Sequence, residues 1–228
     1  MKRSDYYFLF VILALFVPFF LSDNLYESYQ SFNAEHGMLM SFLKFAILST
    51  LGELLGLRIS TGSYIRNGFG ILPRAIVWGV LGMCINLAFI VFSTGVPAAA
   101  AYLGVNNPSG IMAGSLCIQK VLLAFAISVS LNSIFAPVFM TFHKITDTHI
   151  LATGGTLRGL FTPIPMGNIL QNLNWKVQWG FVFKKTIPLF WYPAHTITFL
   201  LPSETRVLFA ALLGVALGVI LAIAARKK

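Results

Sequence analysis

Apolar residues recur in long runs from one end of the chain to the other, and polar residues collect between these runs. A transmembrane α-helix needs about 20 predominantly apolar residues. Six runs approach or exceed that length: Tyr7–Leu21, Met38–Leu57, Ala75–Tyr102, Ile111–Phe142, Phe181–Leu201 and Thr205–Ala225. The pattern predicts an all-α, polytopic membrane helix bundle with about six transmembrane helices, and a short first segment or a broken fifth segment would reduce that number to four or five.

Composition supports the same class, because 57% of the residues are hydrophobic and only 10% are charged. No polar stretch is long enough for a separate soluble domain, so residues 1–228 are expected to form a single integral membrane domain. Lys2 and Arg3 precede a short apolar run, but the following FFLSDN lacks small residues for cleavage, which predicts an uncleaved span. Pro97 and Pro137 are expected to bend or end the two longest helices.

Lys and Arg flanking membrane spans favour the cytoplasmic side, so their positions predict an orientation. With the N-terminus inside, Arg206 falls outside, as do Asp23, Glu27, Glu35 and Glu204. The basic residues on the inner side are Lys2, Arg3, Arg58, Arg66, Arg74, Lys144, Arg158, Lys176, Lys184, Lys185, Arg226, Lys227 and Lys228. Both termini are therefore expected to be cytoplasmic, in a bacterial plasma membrane or alternatively an organelle membrane. The net charge of +9 then indicates contact with anionic inner-leaflet lipid rather than nucleic acid.

Small residues spaced four apart let membrane helices approach closely. One pair lies in the second run and a longer row lies in the last run. These candidate helix-packing residues are Gly52, Gly56, Ala210, Gly214, Gly218 and Ala222. The row predicts that the last helix is buried against a partner helix, and a homo-oligomer is left open.

Polar residues inside membrane helices are costly in hydrocarbon and tend to face a bundle interior or a wet cavity. Lys120, Ser128 and Asn132 fall on one side of the fourth helix because they repeat at intervals of four or eight residues. Asn86 lies deep in the third helix. These four residues are therefore candidates for the lining of a pore or cavity.

Basic groups concentrate in the outer third of the predicted bundle, where the charge pattern otherwise removes cations. They are Lys44, Lys120, His195 and Arg206. Such a cluster would concentrate anions at a pore mouth. The alternative is that each lysine extends to the outer headgroups and His195 bonds a neighbouring helix.

Two prolines and several polar residues interrupt the stretch FWYPAHTITFLLPSETR near the C-terminus. Pro193 is expected to bend or break the fifth helix, and Pro202 to mark the turn into the sixth. The carbonyl groups freed by a bend need partners, which His195, Thr196 and Thr198 could supply. His195 and Thr198 are accordingly further candidates for the cavity lining.

The same stretch resembles the C-terminal signature of the Mpv-seventeen/22-kDa peroxisomal membrane protein family. The resemblance extends upstream through a Gly-acid pair, an Arg-rich entry to a glycine-containing helix, and a Lys followed by Ala-Pro. The residues that carry it are Trp191, Pro193, His195, Thr198, Phe199, Pro202, Arg206, Gly52, Glu53, Arg66, Arg74, Gly79, Gly82, Lys120, Ala136 and Pro137. It implies a small all-helical protein of an organelle-type membrane with channel-like behaviour toward small solutes.

The sequence thus predicts a channel or carrier that passes small, mainly anionic solutes. A structural or lipid-interacting protein without transport activity is the alternative. A metal-dependent enzyme is less favoured, because His143, Asp147 and His149 are expected in a solvated inner loop without further ligands. No catalytic motif is present, so no enzyme activity, metal or other cofactor is expected. Downstream, Trp175 and Trp179 predict a helix lying at the inner membrane interface, and a binding site for a cytoplasmic partner is the alternative.

Overall fold

The computed structural model describes the backbone of residues 2–226, in which the regular elements are helices. In chain order they are α1 (Arg3–Leu21), α2 (Asp23–Glu35), α3 (Gly37–Thr61), α4 (Ile71–Tyr102), α5 (Pro108–Ala113), α6 (Ile118–Ala152), α7 (Leu157–Leu160), α8 (Met166–Asn172), α9 (Trp175–Val177), the π-helix π1 (Gln178–Trp191), α10 (Tyr192–Leu200) and α11 (Ser203–Arg226). Lys227 and Lys228, predicted for the inner side, lie outside the described residues, and so does the side chain of Arg226.

Five helices in the described range are long and apolar enough to cross a membrane. They are α1, α3, α4, α6 and, as far as Ile220, α11. This confirms the predicted all-α bundle, and the number lies within the predicted four to six. Helices of this length and composition are those of a multi-pass membrane protein.

The predicted fifth helix is divided between two helices of different type. π1 ends at Trp191 and α10 begins at Tyr192, so Pro193 occupies the first turn of the new helix. Proline has no N–H to donate, and the first turn is where that donor is not needed. The turn predicted at Pro202 is confirmed, since it separates α10 from α11. Near Pro193 the backbone stays helical, because Trp191 and Tyr192 are both in the right-handed helical region, and only the helix type changes from π to α.

The fourth predicted segment differs most from the structure. Residues 111–117 are separated from α6, which begins at Ile118 and continues to Ala152. The loop expected around His143 and His149 is therefore helical, because Ile145 and His149 form a buried face one turn apart. Pro97 and Pro137 lie inside continuous helices rather than at helix ends.

Helix α3 is the centre of the bundle, because it packs on α4 and on α11. It runs antiparallel to α4, since Glu53 contacts Arg74 whereas Gly37 contacts Asn86. It runs parallel to α11, since Gly52 approaches Val215 and Gly56 lies near Gly218 one turn later. The predicted packing of the last helix through small residues is therefore confirmed. Helix α10 packs on α6 and completes the bundle.

Segments predicted for the inner side meet at one end of the bundle. Arg58 Nε lies 2.7 Å from Asp5 Oδ1, which ties the start of α1 to the end of α3. The loops before α4 and after α6 also touch, because a Cβ at Gly155 would lie 2.6 Å from the carbonyl oxygen of Gly68. Gly155 has a φ of +68°, a conformation that glycine adopts readily.

One close contact between α3 and α4 depends on glycine. A Cβ at Gly82 would lie 2.5 Å from Cβ of Phe45, an atom that no side-chain rotation can move away. Phe45 is itself almost fully buried in the hydrophobic core. The sequence identified the glycines of α3 and α11 as packing residues but missed this one.

We expect Gly82→Ala to lower the free energy of unfolding by about 1–3 kcal/mol, because the added methyl group overpacks the interface between α3 and α4. The matched control is Gly95→Ala on the same helix, where a Cβ meets no atom within 4 Å. That change should be neutral or slightly stabilising, since alanine favours helix. Unfolding of the purified variants in detergent measures the difference, and equal stability of the two would contradict the proposed contact.

Candidate binding cavity

A cavity of about 270 Å³ lies between α3, α4, α6, α11 and the junction of π1 with α10. Its wall is predominantly apolar and rich in aromatic rings. The aromatic lining residues other than histidine are Phe45, Trp78, Phe89, Phe135, Phe139 and Trp191. An apolar wall with a few polar groups is the usual composition of a small-molecule site.

Small residues form the side of the cavity next to α3 and α11. Gly52, Gly56, Ala210, Gly214 and Gly218 all belong to the lining, so five of the six predicted packing residues also border open space. A Cβ at Gly214 would meet no atom within 4 Å, whereas one at Gly52 would lie 3.1 Å from Val215. The glycines thus bring the two helices together on one side of α11, at Val215, and leave room beside the adjacent Gly214. Ala222 is not among the lining residues.

His195 forms one polar part of the wall, as predicted. Its ring stacks on Trp191 with centroids 5.0 Å apart and meets Phe89 at a 5.4 Å centroid distance. Nδ1 lies 3.2 Å from Thr198 Oγ1, one turn along α10. Two aromatic neighbours and one hydrogen bond therefore fix the orientation of a nearly buried imidazole. Thr198, also a predicted lining residue, is fully buried behind it.

Ser128 and Asn132 connect α6 to this part of the wall. Ser128 Oγ donates a hydrogen bond of 2.7 Å to the carbonyl of Tyr192, which Thr196 also bonds at 2.7 Å. Asn132 Nδ2 donates to the carbonyl of Ser128 at 2.8 Å, and Asn132 lines the cavity. The backbone at the junction of π1 with α10 thus finds a predicted partner in Thr196 and a further partner in Ser128, on another helix.

A group of charged residues closes the wall on the side of the loops that the sequence predicts to be on the inner side. Arg74 donates to Glu53 Oε2 at 2.7 Å and also pairs with Asp147. Glu53 Oε1 accepts a 3.0 Å hydrogen bond from Trp78 and lies 3.4 Å from His143 Nε2. Arg74 is only 6% exposed, so its charge depends on these partners. The ionic cluster of these five residues joins α3, α4 and α6.

The sequence did not predict the ionic cluster, although its members were visible. Glu53 and Lys44 are acidic and basic residues within one predicted span, and Glu53 appeared only in the family resemblance. Asp147 was placed in a solvated loop. The sequence did contain one signal of the cluster, because it places residues of opposite charge at a similar depth in the predicted membrane, and buried charges are normally paired. The separation of Arg74 and Asp147 along the chain concealed the pair.

The predicted cluster of outer cations is not assembled at this cavity. None of Lys44, Lys120 and Arg206 is among its described lining residues. Lys120 donates to the carbonyl of Gly114 at 2.6 Å, and Arg206 donates to the carbonyl of Leu201 at 3.0 Å. Both cations satisfy nearby backbone oxygens, which Arg206 finds at the C-terminal end of α10.

Lys44 and Asn86 also have local partners instead of a place in the cavity wall. Lys44 bonds Asn33 Oδ1 and lies 5.3 Å from the ring centroid of Tyr29, both in α2. Burial raises the pKa of the Tyr29 hydroxyl above its ordinary value, so the ring next to this cation stays neutral. Asn86 donates to the carbonyl of Gly37 at 3.4 Å.

The three residues considered for a metal site have separate roles. His143 and Asp147 belong to the ionic cluster, whereas His149 Nε2 lies 3.0 Å from the carbonyl of Gly159. Within the described residues, no group of three or more His, Cys, Asp or Glu side chains is arranged to hold a metal ion.

Protein-family models, curated proteins and solved structures give no match to this chain. The resemblance to the Mpv-seventeen/22-kDa peroxisomal membrane protein family therefore stays a prediction from the sequence.

We expect Arg74→Ala to lower the free energy of unfolding by about 3–5 kcal/mol, because it leaves two buried carboxylates without their shared cation. Lys144→Ala is the matched control, since Lys144 bonds the same Asp147 at 3.0 Å but is 51% exposed. Its effect should stay within about 1 kcal/mol. Denaturant titration in detergent compares the two, and an equally small loss for Arg74→Ala would contradict the structural role of the cluster.

Proposed function

We propose that this protein binds a small, predominantly apolar molecule in the cavity, as a membrane-embedded carrier or binding protein. The observation that carries the proposal is the apolar, aromatic wall of the cavity. An apolar ligand entering such a wall loses contact with water and gains close contacts. A hydrated anion would lose its hydrogen bonds to water without regaining them, which is costly.

The dimensions of the cavity support a ligand of modest size. A dry apolar cavity of about 150 Å³ is enough to bind benzene in another protein. The cavity here measures about 270 Å³, so it suits a larger apolar group such as part of an acyl chain. The hydrocarbon of the surrounding bilayer is a direct source of such molecules, in agreement with the lipid-interacting alternative drawn from the sequence.

Passage of small anions has less support than binding of an apolar molecule. Glu53 and His143 are charged or titratable groups in the lining, but both already have partners. Glu53 pairs with Arg74 and also contacts His143. Lys44, Lys120 and Arg206 have local partners elsewhere. Lipid vesicles reconstituted with the protein can test anion flux, which this proposal expects to equal that of empty vesicles.

We propose further that both termini face the cytoplasm of a bacterial cell, with π1 and α10 together forming a sixth crossing beside the five long apolar helices. The predicted distribution of basic residues supports this orientation, and contacts such as that of Asp5 with Arg58 bring the N-terminus to the end of α3. Residues 22–36, between α1 and α3, would then lie on the outer side.

Cysteine labelling in intact cells tests the orientation. Cys84 and Cys117 are both exposed and are first replaced by alanine. Gln30→Cys should then react with a membrane-impermeant maleimide added outside, whereas Ser63→Cys should react only after lysis, because these exposed positions lie at opposite ends of α3. Labelling of both from the same side would overturn the proposed orientation.

Gly214→Leu tests the binding function, because the added side chain enters open space that belongs to the cavity. We expect at least tenfold weaker binding of the apolar fluorophore N-phenyl-naphthylamine by the variant in nanodiscs, since filling a cavity removes the ligand's contacts, each methylene group being worth about 0.8 kcal/mol. Fluorescence titration against empty nanodiscs measures the affinity.

The matched control is Gly95→Leu, which also replaces a helical glycine with open surroundings but does not line the cavity. It should bind the fluorophore as the wild type does. Equal affinity of all three proteins would show that the fluorophore does not use the cavity and would contradict the proposed function.

A further inference from the structure

His195 and Asn132 present hydrogen-bonding atoms to the cavity that the bundle does not use. His195 is 7% exposed and Asn132 is 2% exposed, yet both line the cavity. Among the described residues, the fully buried side-chain atoms without a partner belong to Thr50 and Gln178, so the unpaired atoms of His195 and Asn132 are accessible rather than sealed in the protein. An accessible acceptor in a cavity wall can bind a ligand that donates a hydrogen bond. The chemistry of these atoms specifies what they can bind.

The hydrogen bonds of Thr198 determine which nitrogen of His195 carries the proton. Thr198 Oγ1 lies 3.0 Å from the carbonyl of Ala194, and a carbonyl oxygen can only accept. The single hydroxyl proton of Thr198 is therefore donated to that carbonyl. Nδ1 of His195, 3.2 Å from the same hydroxyl oxygen, must then be the donor of their hydrogen bond.

Neutral His195 consequently carries its proton on Nδ1, and Nε2 is an acceptor. The two ring nitrogens point in different directions, so Nε2 is directed away from Thr198 and its own helix. No described residue donates a hydrogen bond to Nε2. Stacking on Trp191, at an interplanar angle of 16°, holds the ring in this orientation.

Asn132 supplies a second acceptor by similar reasoning. Its amide nitrogen is assigned by the 2.8 Å contact with the carbonyl of Ser128, because two oxygens at that distance would repel each other. The side-chain oxygen is therefore the free end of the amide, and no described residue donates to it. Helices α6 and α10, which carry the two residues, pack directly against each other.

We propose that the ligand is an apolar molecule with a hydroxyl group, which donates its proton to His195 Nε2 or Asn132 Oδ1 inside the cavity. This proposal rests on the proposed function, because it assumes that the cavity binds an apolar molecule. The class includes long-chain alcohols and lipids with a free hydroxyl. Recognition by unpaired acceptors favours a donor and disfavours an isostere that lacks one.

Charged head groups fit this arrangement less well than a hydroxyl. A carboxylate has only acceptor atoms and would face two further acceptors. An ammonium group would need a compensating buried charge. The carboxylate in the lining, Glu53, already accepts from Arg74 and Trp78 and contacts His143.

A pair of isomers provides the test, because n-octanol and heptyl methyl ether contain the same atoms but only the alcohol can donate. Each displaces N-phenyl-naphthylamine from protein in nanodiscs of one lipid composition. The measured quantity is the affinity of the alcohol divided by that of the ether. We expect this ratio to be about fivefold higher for the wild type than for His195→Phe, which corresponds to about 1 kcal/mol for one net hydrogen bond. The comparison between proteins cancels the partitioning of the isomers into lipid.

Further variants separate the acceptor from the fold. His195→Gln retains an acceptor and should retain part of the preference for the alcohol. Asn132→Leu removes the other acceptor and should reduce the preference. It serves as the test if His195→Phe does not fold. His36→Phe is the matched control, because that histidine is exposed at the end of α2 and does not line the cavity. It should leave the preference unchanged, and thermal unfolding of each variant verifies folding.

The outcomes distinguish the two proposals. In one outcome, both isomers displace the fluorophore from the wild type equally well, and Gly214→Leu abolishes this displacement. That result would overturn the proposed recognition of a hydroxyl group and leave the apolar site intact. An alcohol preference that persists in the double variant His195→Phe with Asn132→Leu, which has neither acceptor, would do the same. Failure of both isomers to displace the fluorophore, with Gly214→Leu equal to the wild type, would overturn the apolar site itself.

Discussion

The pairing of Arg74 with two carboxylates is the interaction on which the arrangement of the bundle most depends. A buried guanidinium group must have compensating charges, and here they come from Glu53 on α3 and Asp147 on α6. Three helices are consequently fixed at one level, near the loops before α4 and after α6. The space between them farther along the bundle is the cavity, whose wall includes Glu53 and His143 from the same cluster.

The cavity exists because the bundle combines close and loose packing. Gly52 and Gly82 allow α11 and α4 to approach α3, whereas Gly214 faces open space between the same elements. On the other side, the change of helix type at Tyr192 directs Trp191 and His195 toward the cavity. Ser128 and Thr196 stabilise this junction through the carbonyl of Tyr192, so the irregular backbone stays satisfied within the protein.

His195 illustrates how a polar group can be both structural and available. One nitrogen stabilises α10 through Thr198, and the ring packs between Trp191 and Phe89. The other nitrogen remains an acceptor in an apolar environment, where a hydrogen bond is stronger than in water. A site of this kind discriminates by the presence of one donor rather than by charge, which agrees with the local engagement of the cations at Lys120 and Arg206.

Several features followed from the sequence alone because they depend on local pattern. Run length predicted the apolar helices, and Pro202 predicted the turn before α11 because proline lacks a donor wherever it occurs. The row from Ala210 to Gly218 predicted close packing of the last helix, since small side chains permit it with any partner. Asn132 and His195 were expected to border a cavity because polar groups in apolar helices avoid hydrocarbon, and both line the cavity described here, although its wall is mainly apolar.

Tertiary structure alone decided which helices are neighbours, and with them the chemistry of the site. Asp147 was expected in a loop, but packing of Ile145 and His149 extends α6 and delivers that carboxylate to Arg74. Lys120 and Arg206 could have reached a shared cavity by sequence spacing, yet each has a carbonyl oxygen within hydrogen-bonding distance. The spacing of apolar and polar residues predicts which face of a helix a residue occupies and how deep it lies in the membrane. Which residues of distant helices pair depends on how the helices pack, and the sequence of one helix does not determine that.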